Sequence, residues 1–460
     1  MKDKHFKKYV IIIGTFYFLL VFFFNFQKRT TFSVAENRNT MPFPSLSFNF
    51  FNDLDNFLID TVPSRDKLID LALLIKKNKG ISTNITIIDV SGKTNMNKDM
   101  GIDDEFLAVT TNDNNIVDEK NDFNKSVATK SSINKDEQNE DNYNKNTKEK
   151  FNEIVLPNNT VIITEKDDGI QCTTIFSGVN TNIYINAINN IKRILGDNIN
   201  LYTMIVPSSS AFYLPNELSN RGQRQLEVIN KVYNALRKVK TVNIYNILNE
   251  HKNERLYLYS DTHWAQRGAF YACKKFAEIA NVDFKPLTNE YYEEKTIKNF
   301  VGSYYRYTED ARLLTNPETF YYYVPRKKYD ITFLNHIYHS DEYSYTKEYP
   351  SKNYFDESKN SYRVFIGGDN YTTIIKTDNQ SNRKLLILKD SNGNCIAPNL
   401  FYSFDEIFVT DYRYTPYNLS KLIRKNKITD VLIETTIGML GTEGEKYEKL
   451  FTEGMDFKVK

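Results

Sequence analysis

Apolar positions fall into three regimes along the chain. The first is a nearly unbroken run, "YVIIIGTFYFLLVFFFNF" from Tyr9 to Phe26. About 18 such residues span roughly 27 Å as a helix, which predicts a membrane-crossing segment. In the second regime Phe50, Phe51, Leu54, Phe57 and Leu58 recur at helical spacing, as expected of a stalk or collar. The third begins after about residue 150, where short apolar runs alternate with amphipathic stretches and predict a parallel sheet with helical crossovers. Leu201 to Ser208 ("LYTMIVPS") and Val242 to Leu248 ("VNIYNIL") are expected strands, with a helix from Gln223 to Val239 between them. A second helix, "AQRGAFYACKKFAEIA", runs from Ala265 to Ala280, and four further apolar runs follow: "RVFIGG", "KLLILKDS", "EIFVTD" and "DVLIETT". The Tyr-rich section 289–360 reads as β-hairpins inserted into this α/β core.

From about Lys93 to Lys150 the pattern vanishes into Asn, Asp and Lys ("NKDEQNEDNYNKNTKEK"). Such a composition buries too little apolar surface to offset the cost of ordering, so a disordered insertion is expected. The chain then divides into a tail and membrane anchor (1–29), a stalk and start of the domain (30–92), the insertion (93–150) and the main α/β domain (151–460). Lys2, Lys4, Lys7 and Lys8 precede the apolar run. The positive-inside rule therefore puts the tail in the cytoplasm and everything after Arg29 on the extracytoplasmic face. The stretch "NFQKRTTFSV" offers no small-residue cleavage site, so the anchor is expected to stay attached.

Charge excludes little and cysteine usage somewhat more. With 60 Lys+Arg against 58 Asp+Glu the net charge is +2, which gives no electrostatic reason to expect a nucleic-acid partner. Cys172, Cys273 and Cys395 lie far apart without metal-ligand spacing, so neither a disulfide framework nor a structural zinc site is expected. His336 and His339 sit in the Tyr-rich section, away from any carboxylate-rich helix, and read as strand-surface residues. No metal or cofactor is called for.

Candidate chemistry starts at "LYSDTHWAQRG", Leu258 to Gly268, where Asp261 and His263 stand two residues apart beside the chain's only tryptophan. Asp261 or Thr262 could instead cap the helix that follows. A nucleophile is supplied by "KLLILKDSNGNCIAPNL", Lys384 to Leu400. Its buried strand breaks at Asp390-Ser391, where a turn can expose the serine hydroxyl and lend its backbone N–H to an oxyanion. Cys395, one turn later, is the rival nucleophile. Asp261, His263 and Ser391 together offer an acid, a base and a nucleophile, the set that acyl transfer through a neutral imidazole requires. Spacing alone does not bring them together.

Several short motifs in order extend this reading: "ENR" (Glu36 to Arg38), "VPSRD" (Val62 to Asp66), "VPSSSAFYLP" (Val206 to Pro215), "SDTHW" (Ser260 to Trp264), "FIGGDN" (Phe365 to Asn370), "LLILKDSNGN" (Leu385 to Asn394) and "VTDYRY" (Val409 to Tyr414). With them the chain resembles the DHHW protein family, named for an Asp-His-His-Trp motif, and through it the SGNH-hydrolase-like alginate O-acetyltransferase accessory proteins. Thr262 stands where the family name has its first His. The resemblance implies an α/β, SGNH-hydrolase-like three-layer sandwich with a mainly parallel sheet, and Asp261, His263 and Ser391 as a catalytic triad. It further implies Gly367 and Gly368 as oxyanion contributors and Arg413 as a wall of the site, although Arg413 could equally pair with Asp411 or Glu406. The expected activity is O-acetylation of a cell-surface polysaccharide, with a multispanning membrane O-acyltransferase as acetyl source. An O-acetyl esterase with the same triad, or a non-catalytic envelope scaffold, stays open.

Overall fold

The computed structural model describes residues 160–453 apart from 167–168, 177, 216–217, 340–341, 352, 370, 416 and 442–443, together with 85–89 and isolated positions 15, 32–33, 38–39, 43, 50, 54 and 57. The expected insertion and most of the stalk lie outside the described residues. Of the expected membrane span only Thr15 is among them, in helical conformation. Among the described residues no helix is long and apolar enough to cross a membrane. The chain forms two compact units, one of residues 1–81 with 310–316 and one of residues 82–309 with 317–460. In the smaller, Phe32–Ser33 pairs antiparallel with Arg38–Asn39, and Phe43 meets Phe57 edge-on.

The larger unit is a mixed α/β fold. Strands β1 (Ile85–Asp89), β2 (Thr160–Lys166) and β3 (Gly169–Thr174) form a small antiparallel sheet. Next come β4 (Asn200–Val206) and β5 (Lys240–Thr241), and then an antiparallel pair of its own, β6 (Tyr292–Phe300) with β7 (Glu318–Pro325). The chain continues through β8 (Tyr329–His339), β9 (Glu342–Ser351), β10 (Tyr371–Thr377), β11 (Lys384–Lys389), β12 (Glu406–Asp411) and β13 (Asp430–Thr436). These assemble an eight-stranded sheet in the order β9-β8-β10-β12-β11-β13-β4-β5. The five strands from β12 to β5 run parallel, and β10, β8 and β9 extend one edge antiparallel.

Parallel strands buried on both faces need apolar residues in both registers, and β11 supplies them. Leu385 and Ile387 enter one core and Leu386 and Leu388 the other, all four fully buried. Each contributes about 1.5–3 kcal/mol of burial. The sheet is flanked by helices α1 (Asn182–Leu195), α2 (Ser219–Ala235), α3 (Gln266–Ala280), α4 (Leu419–Asn426) and α5 (Gly444–Thr452), of which α3 covers one face. Ala269, Ala272, Cys273, Phe276 and Ala280 of α3 fall on one helical stripe and pack against Ile387 and its neighbours. The opposite face is covered by Ile188 and Ile191 of α1, Val232 of α2, Leu422 of α4 and Tyr447 of α5.

Two expected strands take other forms. At 242–248 only the preceding Lys240–Thr241 pairs into the sheet, and Tyr245–Glu250 is helical. The Asn243 side chain accepts from the Tyr245 N–H at 3.2 Å, a turn that starts the helix locally. At Arg363 to Gly368 a 3-10 turn (Tyr362–Val364) replaces a strand. Positive φ at Ile366 (48°), Gly367 (67°) and Gly368 (137°) then ends the extended chain. The Tyr-rich section does form hairpins, but they separate: β6–β7 stands alone, whereas β8 joins β10 and so carries β9 into the main sheet.

Candidate active site

The Asp-Thr-His-Trp stretch is a loop closed at its base. Tyr257 and Trp264 form an isolated antiparallel bridge, and the Leu258 N–H donates to the His263 carbonyl at 3.2 Å. Helix α3 begins after it with Ala265 as N-cap and no side-chain cap, so neither Asp261 nor Thr262 serves as one. The carboxylates have other tasks. Glu318, at the head of β7, accepts from the N–H of Tyr259 (3.0 Å), the N–H of Ser260 (2.7 Å) and the Ser260 hydroxyl (2.6 Å). Burial pushes the Glu318 carboxyl up, with these hydrogen bonds and Arg255 opposing. From the other side three successive N–H groups reach in: Gly302 to Ser260 Oγ (2.9 Å), Ser303 to Asp261 Oδ2 (2.8 Å) and Tyr304 to the Ser260 carbonyl (3.0 Å). A side-chain carbon at Gly302 would collide with Asp261 Cβ and the Ser260 carbonyl, so only glycine permits this approach.

Ser391 follows β11, the strand flanked by β12 and β13, at the carboxyl ends of the parallel strands where α/β sheets bind ligands. Asp390 shapes its turn. The Asp390 carboxylate accepts from the Asn392 N–H (3.0 Å) and from the Thr436 N–H at the end of β13 (2.6 Å). Ser391–Cys395 then winds as a 3-10 turn.

Two consecutive residues of one loop grip two consecutive residues of the other. His263 Nε2 lies 2.9 Å from Ser391 Oγ, and its Nδ1 lies 2.5 Å from Asp261 Oδ1. Trp264 donates its backbone N–H to Asn392 Oδ1 (3.2 Å) and its indole N–H to the Asn392 carbonyl (2.8 Å). That double hold accounts for the tryptophan. Exposure is 6% for Asp261, 3% for His263 and 2% for Ser391, so competing water is largely kept away. Burial opposes the Asp261 charge, but His263 and the N–H groups of Ser303 and His263 outweigh it and hold the carboxyl below its ordinary value. An ionised carboxylate on Nδ1 leaves Nε2 as the acceptor for a serine proton. Cys395 is poorly suited as nucleophile, since burial pushes its thiol up to about 12.

Gly367 and Gly368 lie in the turn that leads to Asp369, with the Arg363 guanidinium donating to the Gly367 carbonyl at 3.4 Å. Arg413 meets Asp411 (2.8 Å), as one expectation had it, and Asp369 (3.2 Å), whereas Glu406 takes Lys384 instead. Lys389, fully buried, reaches both Asp369 and Asp411 at 2.9 Å. Burial disfavours its charge, yet the two carboxylates raise its pKa above the ordinary value. Sequence reading missed Glu318, Gly302 and Ser303, all brought in from distant segments. Lys389 did carry a signal, as a charge closing a run of four apolar residues.

The profile of the DHHW protein family matches residues 36–410. Among solved structures, a DHHW family protein from Eubacterium siraeum is 32% identical with a TM-score of 0.58, the match covering 66% of this chain and 98% of that one. PatB1 of Bacillus cereus, 21% identical at a TM-score of 0.50 over 62% of this chain and 99% of its own, shares the fold. No curated protein matches the chain. A family match over most of the length, together with a relative of the same family at this identity, shows that the chain belongs to the DHHW protein family.

Proposed function

We propose that the protein is an extracytoplasmic, membrane-anchored O-acyltransferase that passes an acetyl group through Ser391 to a hydroxyl of a cell-surface polysaccharide. The observation that carries this reading is the continuous relay of Asp261, His263 and Ser391 at 2.5 and 2.9 Å. In the first half-reaction Ser391 Oγ attacks the donor's acyl carbon while its proton passes to His263 Nε2. The donor oxygen then leaves with that proton, and an acetyl-serine remains. In the second half the sugar hydroxyl gives its proton to Nε2 and attacks the acetyl carbon, and the serine oxygen leaves and is reprotonated. Gly367 and Gly368 are proposed as oxyanion contributors, with Arg413 holding their loop through Asp369 as a wall of the site. An SGNH-like sandwich, an anchor at Tyr9 to Phe26 and a multispanning acyltransferase as acetyl source complete the reading.

Incubating the anchored protein with an activated acetyl ester and an oligosaccharide tests it. Mass spectrometry should find acetyl on the Ser391 peptide and then on the sugar, and Ser391→Ala should remove both. Free acetate as sole product would make it an esterase. Full activity in Ser391→Ala, or acetyl on Cys395, would refute the assignment.

A further inference from the structure

The His263 imidazole lies flat on the phenol ring of Tyr362, with centroids 4.0 Å apart and planes 12° from parallel. Neutral rings in such parallel contact gain dispersion, opposed in part by the repulsion of their electron-rich faces. A cation over the same face is attracted. The arrangement therefore suits imidazolium better than imidazole. Tyr362 is fixed in this pose: its hydroxyl donates to the Asn392 carbonyl (3.2 Å) and lies 3.1 Å from Cys395 Sγ, and Phe320 stacks parallel to it at 6.1 Å. The acceptor is the same carbonyl that holds the Trp264 indole. Tyr362 is 5% exposed, so little solvent screens the contact.

Resting on the acyl-transfer reading, we propose that Tyr362 is a positioning residue whose ring face stabilises the imidazolium of His263 at the moment Ser391 gives up its proton. The proton moves from Ser391 Oγ to His263 Nε2, and the positive charge spreads over the ring. Asp261 meets that charge at Nδ1, and Tyr362 meets it across the face. Neutral resting imidazole gains nothing comparable, which is the differential binding that catalysis requires. Among the described residues, the titratable groups acting on Tyr362 or Asp261 from neighbouring elements include Cys395, Glu434 and Tyr304. Burial raises the Cys395 thiol and the Tyr304 and Tyr362 phenols, so these three stay neutral in the working range. Glu434 is unchanged in every variant below.

The test is the pH dependence of acetyl transfer by the full chain. Tyr362→Leu removes the ring face and should lower kcat about tenfold with KM little changed. The acid limb of kcat/KM should move to lower pH, because the protonated base has lost its stabilisation. Tyr362→Phe restores the face without the hydroxyl and should bring back most of the rate and the position of the limb. Fluorinated phenylalanines at residue 362 keep that shape while weakening the face, and should shift rate and limb step by step with fluorine count. A limb that stays fixed through Tyr362→Leu and the fluorinated series would overturn the proposal and leave a packing role. Should the wild type show no turnover, the acyl-transfer reading fails by itself. The His263 titration, followed by NMR of labelled histidine and assigned with His263→Ala, then decides the Tyr362 effect separately: a midpoint that falls with fluorination supports it, and an unmoved midpoint refutes it.

Discussion

Asp261 divides its carboxylate between backbone and ring: Oδ2 takes the Ser303 N–H, while Oδ1 takes both the N–H and the Nδ1 of His263. Asp261→Asn preserves the size of the group but sets an amide against donors and loses the charge that fixes the tautomer. Transfer should fall about a thousandfold or more, while far-ultraviolet dichroism stays that of the wild type; a fall below tenfold would mean that His263 is oriented by something else. The same carboxylate bears on acid stability, as does Asp369, whose carboxyl lies well below its ordinary value because Lys389 and Arg413 outweigh the effect of burial. A group depressed in the folded state stabilises the protein fully above its unfolded pKa, about 3.9 for Asp. That stabilisation is lost as pH falls through the lower folded value. Urea unfolding should therefore show stability draining away below about pH 4, less steeply in Asp369→Asn; equal slopes would remove Asp369 from this account.

Between the elements, Lys389 and Arg413 join the ends of β11 and β12 to the loop before β10 through Asp369 and Asp411. Buried carboxylates that lose their cation are costly, by about 3–5 kcal/mol when a buried pair is broken. Lys389→Met should fall near the lower end of that range in chemical denaturation, because Arg413 still faces both acids; no change in midpoint would show the network to be neutral. Ser391 is two residues from Lys389, so the serine turn should loosen in the same variant. This coupling was only half legible in the sequence. Lys389, Asp390 and Ser391 could be read as the end of a buried strand, and Asp261 with His263 as an acid–base pair, because each depends on neighbours within a few positions. Val242 to Leu248 was misread as a strand because an Asn243 turn overrode its β-branched composition. Glu318 and Tyr362 left no mark, since their roles arise only when β7 and the turn after residue 361 pack on the loop. The split of the Tyr-rich hairpins had no local signal either, being decided by which strand finds the edge of the main sheet.

At the scale of the whole molecule, the site draws on segments far apart along the larger unit: the loop before α3 and the turns after β11 and β13 meet across the sheet's carboxyl edge. Such a site tolerates long insertions elsewhere, because added loop length costs only about 0.6 kcal/mol per doubling. The polar tract from Lys93 to Lys150 should then be removable with little change in the melting transition, and a drop of several degrees would mean that it packs. The apolar run from Tyr9 to Phe26 makes a different demand. A polymer-bound acceptor cannot diffuse to the enzyme, so an anchor that keeps the enzyme at the membrane face would raise its effective concentration at the surface glycan. With Lys2, Lys4, Lys7 and Lys8 ahead of that run, residues from Thr30 onward are predicted to lie outside the membrane and to remain tethered. Protease added to intact, wall-stripped cells should release fragments of the α/β domain while a cytoplasmic marker survives. Full protection until the cells are lysed would place the domain on the inner face, out of reach of a surface polysaccharide, and would remove the acceptor from the proposed reaction.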